Sequence, residues 1–266
     1  NLHHGVLVSD AFMRAVENDD QWALKSPADG SIQQTISARN LWIRLLTARI
    51  ETGEPYIIYI DTVNRQIPQH HKLAGLKVKT SNLCSEITLP TGMDNDGKQR
   101  TAVCCLSSVN LEKFDDWSVC DTFIPDLVRM LDNVLEYFIQ NAPNELAHAK
   151  FSASQERSIG LGAMGFHAYL QKRGIPFESA MAKGFNLRAF KHIKEEADKT
   201  TRQLAEERGQ CPDSKWYNGG VRNAHLLAIA PNASSSIICG NTSPSIEPYR
   251  ANAFTQKTKT GSSLLK

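Results

Sequence analysis

The sequence has little that would tie it to a membrane or to nucleic acid. Its 266 residues contain 30 Lys and Arg against 28 Asp and Glu, a net charge of +2, so no charge excess indicates a polyanionic partner. No apolar run approaches the roughly 20 residues of a membrane span, and there is no cleavable apolar leader. We therefore expect a cytoplasmic, globular protein with no nucleic-acid and no membrane partner.

Closely spaced cysteine pairs are also missing. The sequence has six cysteines, and none of them forms a C-x-x-C motif, which argues against a zinc site and against the disulfide framework of a small secreted protein. We expect reduced thiols and no bound metal ion. The pair His3 and His4 has no Asp, Glu or Cys at ligand spacing nearby, so it is interpreted as ordinary loop residues.

The most informative segment is 81–90, Ser-Asn-Leu-Cys-Ser-Glu-Ile-Thr-Leu-Pro. If it is an extended strand, its two-residue period places Asn82, Cys84 and Glu86 on one face and apolar residues on the other. An amide, a thiol and a carboxylate side by side suit chemistry on a polyhydroxylated molecule. A purely structural strand at a half-exposed sheet would show the same alternation, so the pattern alone leaves both interpretations open.

A second segment, 101–111, contains Cys104 and Cys105 among β-branched and small residues and is also predicted to be a strand. The polar, Gly-containing segment 91–100 reads as a turn between the two. We therefore expect the two strands to be neighbours.

Together these segments resemble a known family. Asn-Leu-Cys-x-Glu-Ile-x-Leu-Pro-Thr at 82–91, followed by Ala-Val-Cys-x-Leu-Ser-x-x-Asn-Leu at 102–111, is similar to the catalytic barrel of the large subunit of class I ribonucleotide reductase. The resemblance extends, in the same order, to 10–16, 158–166 and 229–248, and so covers nearly the whole chain.

The resemblance implies an α/β fold: part of a ten-stranded α/β barrel, with the segment around Cys84 entering the centre as a finger loop. Residues 1–266 would be a partial catalytic barrel domain. The regulatory N-terminal part, with its allosteric ATP site, and the radical-transfer C-terminal part would lie outside this chain, so we expect the isolated chain to be inactive. The implied reaction reduces ribonucleoside diphosphates to 2′-deoxyribonucleoside diphosphates for DNA precursor synthesis.

The same resemblance assigns roles to individual residues. Cys84 would be the transient thiyl radical that takes the 3′ hydrogen, and Glu86 would accept the proton of the 3′ hydroxyl. Asn82 would hydrogen-bond the ribose hydroxyls. Cys104 would be half of a redox-active dithiol whose partner cysteine lies outside this chain, whereas Cys105 is interpreted as a packing residue.

A substrate-binding loop is predicted near the C-terminal end. A buried strand from about Leu226 runs into small hydroxylated residues, where backbone N–H groups and hydroxyls could bind a diphosphate. A helix N-cap with spare serines explains the pattern equally well. The resemblance favours substrate binding, by the loop residues Pro231, Asn232, Ala233, Ser234 and Ser235.

The resemblance also implies partners. No cofactor would be bound in this chain, because a metal-containing small subunit would supply the radical, and thioredoxin or glutaredoxin would supply electrons. A homodimer of large subunits is expected. Two alternatives remain: a cobalamin-dependent reductase with the same barrel, and a nucleotide-binding or assembly module without activity.

Periodicity predicts the other elements, with helices over about 37–51, 121–140, 144–153 and 180–208, and a strand over 55–64.

Segment 157–173 is predicted to be helical. Its Gly160, Gly162 and Gly165 match G-x-G-x-x-G formally, but no strand is predicted before them, so they are interpreted as sites of close helix packing. Segment 65–79, which contains His70 and His71, is predicted to be a solvated loop.

Overall fold

The computed structural model describes residues 2–258 and 261–265. The chain divides into two compact units, one formed by Asn1–Ile67 with Lys77–Thr91 and the other by Pro68–Leu76 with Gly92–Lys266. Both combine helices with strands, as the predicted α/β class requires. Among the described residues, no helix has the length and apolar character needed to cross a membrane.

The first unit contains four strands and three helices. In chain order they are β1 (Gly5–Val8), α1 (Asp10–Asn18), β2 (Gln21–Lys25), β3 (Ile32–Ser37), α2 (Ala38–Thr52), β4 (Tyr56–Tyr59) and α3 (Ile60–Gln66). β1 pairs with β4 in parallel, and β2 pairs with β3 in an antiparallel hairpin.

Helices α1 and α2 begin and end where their capping residues lie. The Ser9 and Ser37 side chains accept hydrogen bonds from backbone N–H groups three residues on, and Gly53 ends α2 in the left-handed conformation. The predicted strand over 55–64 is shorter than expected, because α3 already begins at Ile60. A small core lies between α1 and α2 and contains Val8, Phe12, Ala15, Val16 and Ala38.

The second unit contains the longer helices. Its first part has α4 (Gln69–Leu73), β5 (Gly92–Met93), β6 (Gln99–Arg100), β7 (Leu106–Asn110), α5 (Phe114–Trp117), α6 (Phe123–Asn141) and α7 (Ala147–Glu156). Its second part has β8 (Gly160–Met164), α8 (Phe166–Lys172), α9 (Ala180–Arg208), α10 (Ala233–Ile238), β9 (Phe254–Thr258) and β10 (Gly261–Leu265). The predicted helices over 121–140, 144–153 and 180–208 are confirmed as α6, α7 and α9.

The apolar face of α6 carries the core of this unit. Val128, Leu131 and Leu135 on that face are almost fully buried, and α6 packs against α9. Their spacing of three and four residues is the helical period that the sequence showed. Aromatic residues from α5 and α8 extend the same core.

The prediction that segments 81–90 and 101–111 form neighbouring strands is wrong. Segment 81–90 contains a turn rather than a strand, and β7 covers only the last part of the second segment. β7 pairs in parallel with β8, separated from it in sequence by the helices α6 and α7. This arrangement is a β-α-β connection, in which a parallel pair needs a long crossover.

The prediction of a helix over 157–173 is also wrong in its first half, because residues 160–164 form the fully buried strand β8. The glycines do allow a close approach of the backbone, but between neighbouring strands rather than between the packed helices that were predicted. A Cβ on Gly162 would lie 2.3 Å from the backbone oxygen of Ala228, and Leu161 bridges Leu227 in parallel. Because only glycine leaves room there, segment 226–228 can lie against β8 on the side opposite β7.

Segment 65–79 is not the solvated loop that its charges indicated. The short helix α4 lies within it, and His70 and His71 are buried. The reason is tertiary: α4 packs against the 3-10 helix Pro212–Ser214, more than 130 residues further along the chain.

Candidate functional site

The predicted finger segment is a tight turn in the first unit. The backbone N–H of Ser85 donates to the carbonyl of Asn82 at 3.1 Å, which makes Leu83 and Cys84 the two central residues of the turn. Ser85 has a φ of 65°, a left-handed conformation that a serine seldom adopts. Cys84 therefore lies exposed at the tip of the turn.

Asn82 holds this turn together through its side chain. Its Nδ2 donates to Glu86 Oε2 at 2.7 Å, and its Oδ1 accepts from the backbone N–H of Ile87 at 3.1 Å. Below it, the Ser81 hydroxyl donates to the Ile87 carbonyl at 2.6 Å. The amide thus fixes the carboxylate beside it and closes the base of the turn.

The turn changes how the three predicted residues come together. On a strand they would share a face by alternation, whereas here a reversal of the chain brings Asn82 and Glu86 into contact with Cys84 between them. The apolar face fails as well, because Leu83 is 54% exposed while Leu89 is buried. The sequence grouped Asn82, Cys84 and Glu86 by the alternation of a strand, whereas the structure groups them by a turn.

Cys104 and Cys105 lie in the second unit, immediately before β7. Cys104 is exposed, whereas Cys105 packs against the core and its Sγ donates to the Leu131 carbonyl at 3.5 Å. Burial raises the pKa of the Cys105 thiol above its ordinary value. The interpretation of Cys105 as a packing residue agrees with these contacts.

The predicted diphosphate loop leads into α10 in the same unit. Asn232 is the residue before the helix, and its Nδ2 donates to the Ala230 carbonyl at 2.8 Å. Ser234 and Ser235 are exposed in the first turn, and within the described part of the chain their backbone N–H groups have no acceptor. Of the predicted strand before this loop, the structure retains only the bridge at Leu227.

A cleft of about 270 Å³ adjoins this loop. Its lining includes Pro231 and Ala233 of the loop together with Tyr249 and Arg250. The Tyr249 hydroxyl donates to the Asn241 carbonyl at 2.7 Å, and burial raises its pKa to about 12, so this phenol stays protonated. Arg250 is the cation that the cleft offers to an anionic ligand, with Glu247 as its opposing charge.

The structure therefore groups the predicted site residues in two places. Asn82, Cys84 and Glu86 share one turn in the first unit, while Cys104 and residues 231–235 belong to the second. Within the second unit, Cys104 precedes β7 and the loop follows the segment bridged to β8. β7, β8 and segment 226–228 run parallel, so the Cys104 thiol lies toward the N-terminal end of these strands and the loop toward their C-terminal end. A ligand that contacts both must extend along the strands.

Sequence reasoning missed the buried polar groups of the second unit. Asp132 of α6 is fully buried and accepts hydrogen bonds from Arg157 at 2.9 and 3.1 Å, from Arg208 at 3.0 Å and from Asn223 at 3.1 Å. Burial alone would raise the pKa of Asp132, but the guanidinium groups of Arg157 and Arg222 outweigh it and hold the pKa below its ordinary value. The signal was present in the sequence, since Asp132 falls on the apolar face of α6 next to Leu131.

Comparisons with known proteins identify the fold. The ribonucleotide reductase barrel domain matches residues 1–219 and 214–265. A Frog virus 3 (isolate Goorha) protein assigned to the ribonucleoside-diphosphate reductase large subunits is 52% identical over 265 residues, covering 98% of this chain and 45% of that protein. The vitamin B12-dependent ribonucleoside-diphosphate reductase of Mycobacterium tuberculosis (strain CDC 1551 / Oshkosh) is 34% identical over 265 residues, 96% of this chain and 36% of that protein.

A solved structure agrees with these matches. The Actinobacillus ureae class Id ribonucleotide reductase alpha subunit superposes with a TM-score of 0.81 at 35% identity, over 94% of this chain and 44% of that one. The chain thus spans less than half the length of each of these relatives. The predicted fold, part of an α/β barrel, is confirmed, and the chain belongs to the ribonucleotide reductase large-subunit family, within its catalytic barrel domain.

Proposed function

We propose that this chain supplies the radical-bearing part of a ribonucleoside-diphosphate reductase, which converts ribonucleoside diphosphates to 2′-deoxyribonucleoside diphosphates. The observation that carries the proposal is the turn at residues 82–86. It presents the Cys84 thiol at an exposed tip, with the Asn82 amide and the Glu86 carboxylate joined by a 2.7 Å hydrogen bond directly behind it.

The chemistry follows from these three groups. A Cys84 thiyl radical takes the hydrogen atom from the 3′ carbon and returns one later, so the sulfur is regenerated. Glu86 accepts the proton of the 3′ hydroxyl, which promotes loss of the 2′ hydroxyl, and this group leaves as water with a proton from the dithiol that includes Cys104. Because Asn82 already donates to Glu86 and accepts from Ile87, it orients the carboxylate in addition to any bond it makes to the ribose.

The electrons come from a dithiol. Cys104 is half of that pair, with a cysteine outside this chain as the other half, and the two become a disulfide in each turnover. Thioredoxin or glutaredoxin then reduces the disulfide. Burial and core packing of Cys105 make its thiol unsuitable for this exchange, whereas Cys104 is exposed.

The substrate diphosphate binds at residues 231–235. The unbonded backbone N–H groups of Ser234 and Ser235, their exposed hydroxyls and the nearby Arg250 support this assignment. The radical arrives from a metal-containing small subunit, so the residues of this chain bind no radical-generating cofactor. A homodimer of large subunits, allosteric control by ATP and a cytoplasmic location complete the proposal.

The test uses the full-length large subunit that contains this segment, assayed with small subunit, reductant and a diphosphate substrate. Cys84→Ser should abolish deoxynucleotide formation while substrate binding, measured by calorimetry, stays unchanged. Cys120→Ser is the matched control, because Cys120 is also exposed but lies before α6, and it should leave turnover intact. Turnover by the Cys84 variant would show that the radical site is misassigned.

A second candidate is a cobalamin-dependent reductase, favoured by the identity to the vitamin B12-dependent enzyme. The Asn-Leu-Cys-Ser-Glu form of the finger motif favours the class with a separate small subunit. Activity with adenosylcobalamin and without small subunit would select the second candidate. A nucleotide-binding or assembly module without activity would bind diphosphates in calorimetry and turn over under neither condition.

A further inference from the structure

We propose that His71, Glu156 and His225 form a binding site for a divalent first-row transition-metal ion, with Zn²⁺ as the best fit. The site lies wholly within the second unit and takes no part in the reductase chemistry proposed above. Each residue offers one donor atom, and the three donors, two imidazole nitrogens and a carboxylate oxygen, all lie within 4.8 Å of one another. We call these three residues the His71 cluster.

Three separate elements bring the donors together, and backbone bonds fix them around Ala224. His71 lies on α4, Glu156 is the last residue of α7, and His225 follows Ala224. The Ala224 carbonyl faces Nε2 of His70 at 3.0 Å, and the Ala224 N–H donates to the Glu156 carbonyl at 2.9 Å. The position of Ala224 is therefore fixed by bonds to His70 and Glu156 that do not depend on the donor side chains of the cluster.

His71 is the observation that points to a ligand. Its side chain is fully buried, and within the described part of the chain neither ring nitrogen has a hydrogen-bond partner. Leaving a buried polar group without a partner costs about 1–3 kcal/mol. A cation bound at one nitrogen would satisfy its lone pair, and the other two donors of the cluster lie where further ligands would be needed.

The protonation states suit metal binding. Burial, reinforced by neighbouring His225, lowers the pKa of His71 to about 2, and burial lowers that of His225 to about 4, so both lone pairs are available at neutral pH. Burial raises the pKa of Glu156 to about 8, so without a cation this acid is mostly protonated. A bound cation would displace that proton and neutralise the negative charge of the ionised Glu156.

The surrounding charges also favour a cation. The positive charge of Arg100 acts on both His71 and Glu156, but Arg100 forms a bidentate pair with Asp213 at 2.6 and 3.0 Å and a further bond to Asp94 at 3.0 Å. Two carboxylates thus outweigh its charge, and ionised Glu156 leaves the region net negative. The Ser158 hydroxyl donates to Glu156 Oε2 at 3.0 Å, in the manner of a partner that orients a ligand.

The donor types and the access route favour zinc. Two imidazoles and one carboxylate match a zinc site with an open fourth position, whereas calcium and magnesium prefer oxygen ligands. Donors around tetrahedral zinc are about 3.4 Å apart, so small side-chain rotations would close the cluster. His225 also lines a cleft of about 360 Å³, which would be the ion's route to the cluster. Lys194 and Arg202 line this cleft together with Asp198.

The competing explanation is an ordered water that bonds the His71 ring, with no metal at all. The test strips the purified full-length chain with a chelator, adds Zn²⁺ or Co²⁺, removes excess ion and measures metal by elemental analysis. We expect about one ion per chain, with Co²⁺ showing the visible absorption of a tetrahedral site with nitrogen and oxygen ligands. His71→Ala and Glu156→Gln should each lose the ion.

A matched control addresses adventitious binding. His3 and His4 lie close to Glu54 on the surface and are the obvious alternative ligands, so the double variant H3A/H4A should keep the metal. If His71→Ala and Glu156→Gln do not fold, His225→Ala replaces them, because His225 is only half-buried at the cleft. Absence of metal from the wild-type chain, retention by the cluster variants, or loss by H3A/H4A would overturn the proposal.

Discussion

Two buried acids in the second unit, Asp132 and Glu156, have opposite surroundings, although residues 156–157 and 223–225 contribute side chains to both clusters. Asp132 meets Arg157, Arg208, Arg222 and Asn223, and we call these five residues the Asp132 cluster. Glu156 of the His71 cluster directly precedes Arg157 in the chain.

The backbone explains how neighbouring residues serve different clusters. Arg157 ends α7 with a φ of 47°, so the chain turns sharply between the two side chains. Asn223 and His225 divide in the same way, one joining each cluster. In the Asp132 cluster, three guanidinium groups and one amide surround the carboxylate. In the His71 cluster, the Glu156 carboxyl has one hydroxyl partner, and the His71 ring has no hydrogen-bond partner among the described residues. The first is saturated within the chain, and the second has donors left for a ligand.

The largest effect should come from breaking the saturated cluster. Asp132→Ala removes the buried carboxylate shared by three guanidinium groups and leaves only Glu136 paired with Arg157 and Arg222. Removing one partner of a buried ion pair costs about 3–5 kcal/mol. Chemical denaturation should show that loss in the free energy of unfolding. The control is Asp126→Ala, an exposed acid on the same helix, which should change stability by less than about 0.5 kcal/mol. Equal effects would mean that Asp132 contributes only as a surface charge does.

A smaller effect should distinguish Glu156 from Asp132 by the pH dependence of the free energy of unfolding. The folded-state pKa of Glu156, about 8, lies above its unfolded value of 4.5, so its contribution to stability is complete below pH 4.5 and is lost as pH rises through 8. In chelator-treated protein this predicts a loss of about 1–2 kcal/mol between pH 6.5 and 8. Glu156→Gln should abolish that loss.

Asp132 should show the opposite sign. Its pKa is lowered, so its stabilisation is present above the unfolded value of 3.8 and is lost only as pH falls below it. The groups facing Glu156 are Ser158, Arg100, Asp213 and the two cluster histidines, His71 and His225, and none of them changes in Glu156→Gln. If wild type and this variant lose stability in parallel above pH 6.5, Glu156 is not the titrating group.

The smallest expected effect concerns the hydrogen bond that Ser158 donates to Glu156. Ser158→Ala removes the one hydroxyl that donates to Glu156, and a typical hydrogen bond contributes about 1 kcal/mol to stability. Thermal unfolding of chelated protein should show a loss of that order, and added Zn²⁺ should restore most of it if the cluster binds metal. Ser154→Ala, whose hydroxyl donates to the nearby Phe151 carbonyl, provides the control and should respond to zinc as the wild-type chain does, because its metal cluster is intact.

Local patterns predicted what local physics determines. The helical period over 37–51 predicted α2, and the apolar stripe over 121–140 predicted α6 with its boundaries within two residues. These features depend on residues three or four positions apart, so the sequence displays them directly.

Errors occurred where distant residues decide the structure. Gly160 to Met164 became a strand because β7 and segment 226–228 flank it, and α4 is buried because a 3-10 helix far along the chain covers it. The finger segment alternates like a strand, yet the Asn82 side chain closes it as a turn through bonds to Glu86 and Ile87.

Motif order and residue chemistry were enough to assign the family and to single out Asn82, Cys84 and Glu86 as candidates, because neither depends on coordinates. The contact between Asn82 and Glu86 and the convergence of His71, Glu156 and His225 became visible only in the folded chain. Those contacts join residues up to 154 positions apart, between His71 and His225, and no periodicity of the sequence encodes such a separation.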